Sequence, residues 1–428
     1  MSRTSDSKRR RFASLALSIS ALACGVTALA LLMWTVVPAL HYNLWLLSVV
    51  AGEWSLYFGL VGLGGALLGI AAVRRGRRRT GFVALLCGML AVTLSLYPLL
   101  STLRVAEANG VRLSLARYLF ASPSPAVQTP GTFEFAQVDG QSLLLDAYLP
   151  QAPATAGQLD QLNSRRPAIV MVHGGSWKSG SRSDFPQWDA WLASRGYAVF
   201  DIDYRLAPPP NWRLAVEDVQ SAVVWVKEHA QQFDINPARV SLMGRSAGGH
   251  LALLAAYTAE EAKTEGQATD ARSKTDARVQ IDARVRAVIA LYAPTDLRWA
   301  YEHPANERVI NGPAALRGLT GGTPQTLPDV YSQASPLAHA TQSSPPTLLL
   351  HGGQDQVVRQ ENMWFLLQAL QGADAHPPKT EIGPARYRAL FIPYAQHGFD
   401  YNFNGWGAQV TQQVILDFLN TQMKSKSE

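Results

Sequence analysis

The sequence predicts an α/β domain built on a mostly parallel eight-stranded sheet with helices on both faces, preceded by three transmembrane helices. Three observations predict it. From about residue 132 onward, short apolar runs alternate with helix-like runs. The first quarter of the chain is filled by three long apolar runs set apart by arginine clusters. A Gly-x-Ser-x-Gly, Gly244-Arg245-Ser246-Ala247-Gly248, stands between an apolar run and a helix-like one.

The apolar runs come first in the chain. Phe12 to Leu40 and Gly81 to Leu103 carry no charge, and Trp54 to Val73 follows a lone Glu53. Each reaches the roughly 20 residues that a helix needs to cross a bilayer. Ala28-Leu29-Ala30 has the small-x-small form of a signal cleavage site, but the run continues apolar to Val37, which favours an uncleaved anchor. Expected spans are therefore about 12–40, 54–73 and 81–103, behind a basic tail at 1–11.

Charge sets the orientation. The chain carries +6 in all. Residues 1–103 hold ten Lys or Arg against Asp6 and Glu53, a net +8, so everything after Leu103 sums to −2. The basicity belongs to the membrane region, which leaves a nucleic-acid partner without support. Lys8–Arg11 and Arg74–Arg79 fall on the cytoplasmic side under the positive-inside rule. The loop His41 to Glu53 lacks Lys and Arg and falls outside, as does everything after the third span. Arg104, Arg112 and Arg117 run slightly against this placement. In the second span, Gly65-Ala-Leu-Leu-Gly69 is a small-xxx-small pattern suited to close helix packing.

Residues 104–131 read as a linker, with an amphipathic helix over Val105–Phe120 and a Pro/Ser-rich stretch from Ser122 to Gly131. The remaining segment, 132–428, is of a size that one α/β domain fills. Its expected strands are Phe133–Ala136, Leu143–Tyr148, Ala168–Val172, Ala198–Asp203, Val240–Met243, Val285–Tyr292, Thr347–Leu350 and Ala389–Ile392. Helices are expected at Phe185–Ser194, Val216–Gln232, His250–Ala262 and Glu361–Gln371. A hairpin followed by strand–helix alternation gives a mostly parallel sheet covered on both faces. The only cysteines are Cys24 and Cys87, with no Cys/His cluster, so neither a structural zinc nor a disulfide framework is expected and no cofactor is called for.

The pentapeptide at Ser246 has the form of a nucleophile elbow, a turn tight enough to require glycine at its flanks. A serine nucleophile needs a base, and the base needs an orienting acid. Asp355 follows the run Thr347–Leu350, within His351-Gly352-Gly353-Gln354-Asp355. Beyond it only His376 and His397 remain; His376 lies in an ordinary turn, and His397 follows the last strand. The expected triad is Ser246, Asp355 and His397. The oxyanion requires preplaced backbone N–H groups. Ala247 should supply one, and Gly174 and Gly175, in His173-Gly174-Gly175-Ser176-Trp177 after an earlier strand, should supply others. The second His-Gly-Gly carries the acid, and its His351 reads as a packing residue.

Taken together, His173–Trp177, Asp203-Tyr204-Arg205-Leu206-Ala207-Pro208, Gly244–His250, His351–Asp355 and His397-Gly398-Phe399 resemble the esterase/lipase branch of the α/β-hydrolases. The set is similar to the hormone-sensitive-lipase-like enzymes. Its Trp-bearing loop is closer to the carbohydrate-esterase and feruloyl-esterase-like group. The resemblance covers about residues 132–420. It implies an acyl-serine mechanism on carboxylic esters, and makes Asp203, Tyr204 and Arg205 supports below the site. His250 is expected to pack in its helix.

Leu297 to Thr341, rich in Gly, Pro and aromatics, should lie over the C-terminal strand ends and shape specificity. Trp177, Trp299 and Tyr301 are the candidate substrate contacts. The insert Glu260–Arg286, with Asp-Ala-Arg three times, should hang on the opposite face. The expected function is a membrane-anchored serine carboxylesterase acting outside the cytoplasm on a small-molecule, glycan or lipid ester, with the bilayer as its other partner. The same triad also suits an amide-cleaving peptidase or formamidase, and a degenerate hydrolase domain would make a membrane scaffold. The sequence does not set the oligomeric state.

Overall fold

A computed structural model describes residues 2–121, 131–138, 140–150, 165–259, 283–372 and 386–423. Most of the Ser122–Gly131 stretch, all of the insert up to residue 282, and His376 lie outside the described residues.

Eight strands form one sheet in the order β1-β2-β4-β3-β5-β6-β7-β8. They are β1 Gly131–Val138, β2 Gln141–Tyr148, β3 Arg166–Val172, β4 Ala198–Ile202, β5 Ile235–Arg245, β6 Ala287–Leu291, β7 Thr347–Gly352 and β8 Tyr387–Ile392. β1 and β2 are antiparallel, β2 pairs antiparallel with β4, and every later pairing is parallel. This is the α/β-hydrolase fold. β4, β6 and β7 are buried at every position. Strands covered on both faces need no polar alternation, which is why they read as continuous apolar runs.

Helices supply that cover. The helix Trp212–Glu228 buries Ala215, Val216, Val219, Ala222, Val223 and Val226, a stripe at helical spacing laid on the sheet. The helix Ala247–Tyr257 is buried from Ala247 to Ala256, because it runs from the centre of the sheet beneath other elements.

Ahead of the sheet, α1 Ser2–Leu32, α3 Ser55–Arg74 and α4 Arg78–Ala108 pack as a bundle. The stretches Lys8–Thr35, Ser55–Arg74 and Arg78–Ala108 are long and apolar enough to cross a membrane. Glycine lines their contacts. A Cβ on Gly65 would lie 2.5 Å from the Gly25 backbone nitrogen, and one on Gly69 would lie 2.7 Å from the Gly81 carbonyl oxygen. The small-xxx-small pattern therefore faces the neighbouring helices. Cys24 and Cys87 are both free.

Three expectations in this region are corrected. The first helix stops at Leu32, with one further 3-10 turn over Met33–Thr35, rather than running to Leu40; Pro38 lies just beyond and has no N–H to continue it. The connection His41 to Glu53, expected as a loop, is mostly helical: α2 spans Tyr42–Glu53. Val105–Phe120 is not one helix. α4 continues to Ala108, the chain turns at Gly110 with φ +66°, and a separate helix α5, Leu115–Phe120, begins at Ser114, whose Oγ accepts from the Arg117 N–H.

The ends of the bundle near Glu53 and Ala108 are docked on the sheet domain. The Tyr118 ring stacks on Trp406 at 4.2 Å, and Arg117 donates to Asn404 Oδ1 at 3.0 Å and to Gln412 Oε1. Arg117 thus has partners in the hydrolase domain, which explains its position beside a span on the predicted outer side. Glu53 is buried; Tyr394 Oη–H donates to its carboxyl at 3.1 Å, and Asn402 Nδ2–H donates to its carbonyl at 2.8 Å. Burial pushes the Glu53 carboxyl well above its usual range.

Replacing Gly65 with Val would force α3 away from α1. Overpacking of this kind costs about 1–3 kcal/mol, so Gly65→Val should lower the thermal midpoint of the purified chain by several degrees. The control Gly64→Val, where a Cβ meets nothing within 4 Å, should leave it nearly unchanged.

Candidate active site

The site sits where the central strands end. β5 runs into the elbow, β3 beside it ends in the His173–Trp177 loop, and the loops after β7 and β8 carry Asp355 and His397. Neighbouring parallel strands thus bring residues far apart in sequence to one edge of the sheet.

Ser246 has φ 53° and ψ −120°, a conformation costly for a residue with a side chain. The flanks show why only glycine fits. A Cβ on Gly244 would lie 2.2 Å from the Gly248 carbonyl oxygen, and one on Gly248 would lie 2.2 Å from the Val172 and His173 oxygens. The turn holds Ser246 Oγ 2.9 Å from His397 Nε2, and His397 Nδ1 lies 2.7 Å from Asp355 Oδ2. With Nδ1–H donated to the carboxylate, Nε2 is free to accept from the serine hydroxyl.

Asp355 is fixed from several sides. Its Oδ1 accepts from the Val357 and Val358 N–H groups at 2.8 and 2.9 Å. His351 Nε2–H donates to the Val358 carbonyl at 2.9 Å and lies 3.3 Å from Asp355 Oδ2, so His351 braces the acid loop. Burial alone would raise the Asp355 carboxyl. The charge on His397 and the hydrogen bonds from His351 and His397 outweigh it and hold the carboxyl well below the usual range.

The loop after β3 lies against the elbow. A Cβ on Gly174 would come within 3.1 Å of the Arg245 carbonyl oxygen and 3.4 Å of Ser246 Cβ. Gly175 has φ +112° and no room for a side chain, and Ser176 and Trp177 follow with φ of 53° and 61°. Ser176 and Ala247 both line the pocket above Ser246. Below the loop, Tyr204 Oη–H donates to the His173 carbonyl, and Arg205 pairs with Asp218 at 2.6 Å.

The pocket has a volume of about 590 Å³ including its open mouth. Its walls are largely apolar, with Ile310, Leu316, Val357 and Val358 among them. Trp177 lines it but is buried and anchored: its Nε1–H donates to His250 Nδ1 at 3.2 Å, and His250 Nε2–H donates to the Ala334 carbonyl at 2.7 Å. Trp299 and Tyr301 do not line it. Trp299 stacks on His303 and meets Phe365 edge-on, while Tyr301 meets Tyr331 edge-on. Ala300 and His303, three apart on the same short helical segment, face the pocket instead. Among the described residues, no group of three or more His, Cys, Asp or Glu could hold a metal ion.

Sequence reasoning missed a buried ionic support. Arg245, inside the elbow, pairs with Asp400 at 2.6 Å, and Tyr292 Oη–H donates to the other Asp400 oxygen at 2.6 Å. The Tyr292 ring lies 4.4 Å from the His397 ring. Nearby Asp189 is pushed up to about 7 by burial, with the Arg245 charge opposing. An arginine next to the nucleophile, inside an apolar strand end, needs an acid, and Asp400 stands three residues after His397.

An α/β-hydrolase fold with a serine elbow, a histidine and a carboxylate in hydrogen-bonded line defines the class of protein. The chain belongs to the BD-FAE family, whose model matches residues 146–370. Esterase LipC of Mycobacterium tuberculosis is 28% identical over 263 residues, which are 61% of this chain and 60% of that protein. The probable carboxylic ester hydrolase LipM of the same organism is 27% identical over 242 residues, 56% of this chain and 51% of that protein. The chain thus spans between half and two thirds of the length of these curated relatives. Among solved structures, the apo form of Thermogutta terrifontis esterase 2 shares the fold, with a TM-score of 0.51 and 24% identity over 70% of this chain and 97% of that one.

His250 gives a pH prediction. Burial lowers its pKa from 6.5 to about 4. The unfolded chain therefore binds more protons below pH 6.5, so stability is complete above 6.5 and declines as pH falls toward 4, by up to about 3 kcal/mol. Denaturant midpoints at pH 7.5 and 4.5 should fall further apart for the wild type than for His250→Gln. An equal fall in both would contradict the assignment.

Proposed function

We propose that this chain is a membrane-anchored serine carboxylesterase with its hydrolase domain outside the cytoplasm. The observation that carries the reading is the line Asp355–His397–Ser246, hydrogen-bonded at 2.7 and 2.9 Å, with Ser246 lining an apolar pocket. The relatives named as esterases support it, as does the order of the three residues in the chain.

In this reading His397 Nε2 takes the proton as Ser246 Oγ attacks the ester carbonyl, and Asp355 steadies the imidazolium. The amides of Ala247 and of the Gly174–Ser176 loop receive the oxyanion; Gly174 and Gly175 let that loop come close. The protonated His397 then returns its proton to the leaving alkoxide. Water, activated by the same histidine, releases the acid from the acyl-serine. The chain divides in this reading into a basic tail at 1–11, a membrane region to about 108, a short linker and the hydrolase domain from about 131. The three helices, the basic clusters at their inner ends and the docking of their outer ends on the sheet domain support that placement.

Ser246→Ala should lower kcat for p-nitrophenyl butyrate by at least about 10³-fold with the fold unchanged by circular dichroism; undiminished hydrolysis would contradict the assignment. Alkaline phosphatase fused after Met423 should be active in a bacterial host, and an inactive, stably expressed fusion would overturn the outside placement.

A further inference from the structure

The helix α2, between the first two spans, has apolar residues on both of its faces. On its inner face, Trp45 and Val49 are buried together with Ala39 and Val309, and Ile310 and Val357 pack on that cluster. Ile310 and Val357 are also walls of the pocket over Ser246. Just before α2, the Ala39 N–H donates to Gln356 Oε1 at 2.7 Å, and the Ala39 carbonyl accepts from Asn306 Nδ2 at 2.8 Å. Gln356 is next to Asp355, and Asn306 is next to the pocket residue Ala305. The membrane segment thus backs the rim of the pocket.

On the outer face, Tyr42, Leu46 and Val50 are exposed by 47, 42 and 41%. Four-residue spacing puts them in one stripe. The stripe continues the exposed Met33, Val36, Val37 and Leu40 at the end of the first span. Between Thr35 and the buried Glu53 there is no Asp, Glu, Lys or Arg. A helix with an outer face so free of charge, joined at both ends to spans, suits the acyl boundary of a bilayer rather than water. On the neighbouring α5, Leu115 and Phe120 are exposed as well. Trp34, Trp54 and Tyr57 stand at the same outer ends of the bundle, where interfacial aromatics belong.

We infer that α2 lies in the outer bilayer interface and holds the pocket mouth against it, so that the enzyme takes long-chain acyl esters directly from the membrane. This rests on the serine-esterase reading above and names its substrate class. The occupant of the Tyr42–Leu46–Val50 face is lipid, and the apolar pocket walls next to the inner face of α2 receive the acyl chain as it leaves the bilayer.

The test uses the full chain reconstituted in phosphatidylcholine vesicles and two esters of one alcohol: p-nitrophenyl butyrate in solution and p-nitrophenyl palmitate dissolved in the vesicle bilayer. The wild type should hydrolyse both. Leu46→Glu should cut the rate on the bilayer-dissolved ester at least tenfold and leave the soluble ester within twofold, which also shows that the variant is folded. If Leu46→Glu loses both activities, Val50→Gln on the same face decides by the same comparison. Hydrolysis of the soluble ester alone by the wild type would overturn this inference and leave the esterase reading standing. Equal effects of Val50→Gln on both esters, or no effect of Leu46→Glu on either, would also overturn it. Hydrolysis of neither ester would overturn the esterase reading itself.

Discussion

The structure depends on one turn. Between β5 and the helix that follows, the chain reverses within a few residues, holding Ser246 at φ 53° and ψ −120°. Backbone approaches of 2.2 Å to the hypothetical Cβ atoms of Gly244 and Gly248 leave no alternative to glycine there. A strained residue persists only when its surroundings over-determine it. Here they do. The Ser246 N–H donates to the Leu291 carbonyl on β6, and its own carbonyl accepts from the His250 N–H. The preceding side chain, Arg245, is bound to Asp400 below the loop that carries His397. Ser246 and His397 are thus referred to the same buried ion pair. Such a pair contributes little net stability, because desolvation offsets the attraction, but losing one partner strands a charge. Its role here is to fix geometry.

The apolar N-terminal helices are attached to this framework at several points. Glu53, Arg117 and Tyr118 all meet the segment from Tyr394 to Gln412, which runs from the His397 loop into the C-terminal helix Trp406–Met423. Ala39 holds Gln356, beside the acid Asp355. The two loops that carry Asp355 and His397 are therefore each braced by the N-terminal helices and their connections. The pocket walls formed by Ile310 and Val357 share a packed cluster with α2. The N-terminal helices thus pack against the strand ends that carry Asp355 and His397.

How far the sequence could be read follows from the same physics. All eight strands were legible, since fully covered parallel strands leave uninterrupted apolar runs such as Ala168–Val172. Ser246, Asp355 and His397 could be singled out because the fold places each at a strand end in a set order. Trp299 and Tyr301 could not be placed, because aromatic character does not give the phase of a six-residue helix; Ala300 and His303 face the pocket instead. α2 was hidden because Tyr42–Glu53 is too short to span a bilayer as a helix and carries no charge pattern that marks a helix face. Asp400 was hidden because its partner Arg245 is identified as buried only once the sheet is built. The break at Gly110 was readable from the Asn109-Gly110 pair, but the amphipathic pattern of Val105–Phe120 obscured it.

The central claim is that Ser246, activated by His397, is the acyl-accepting nucleophile. The most direct measurement is peptide mass spectrometry of the full chain after reaction with a fluorophosphonate, in the wild type and in His397→Ala. The adduct should fall on the peptide containing Ser246, and its formation should slow by at least about 10³-fold in His397→Ala. An adduct on a different residue, or labelling of Ser246 at the same rate in both proteins, would contradict the account.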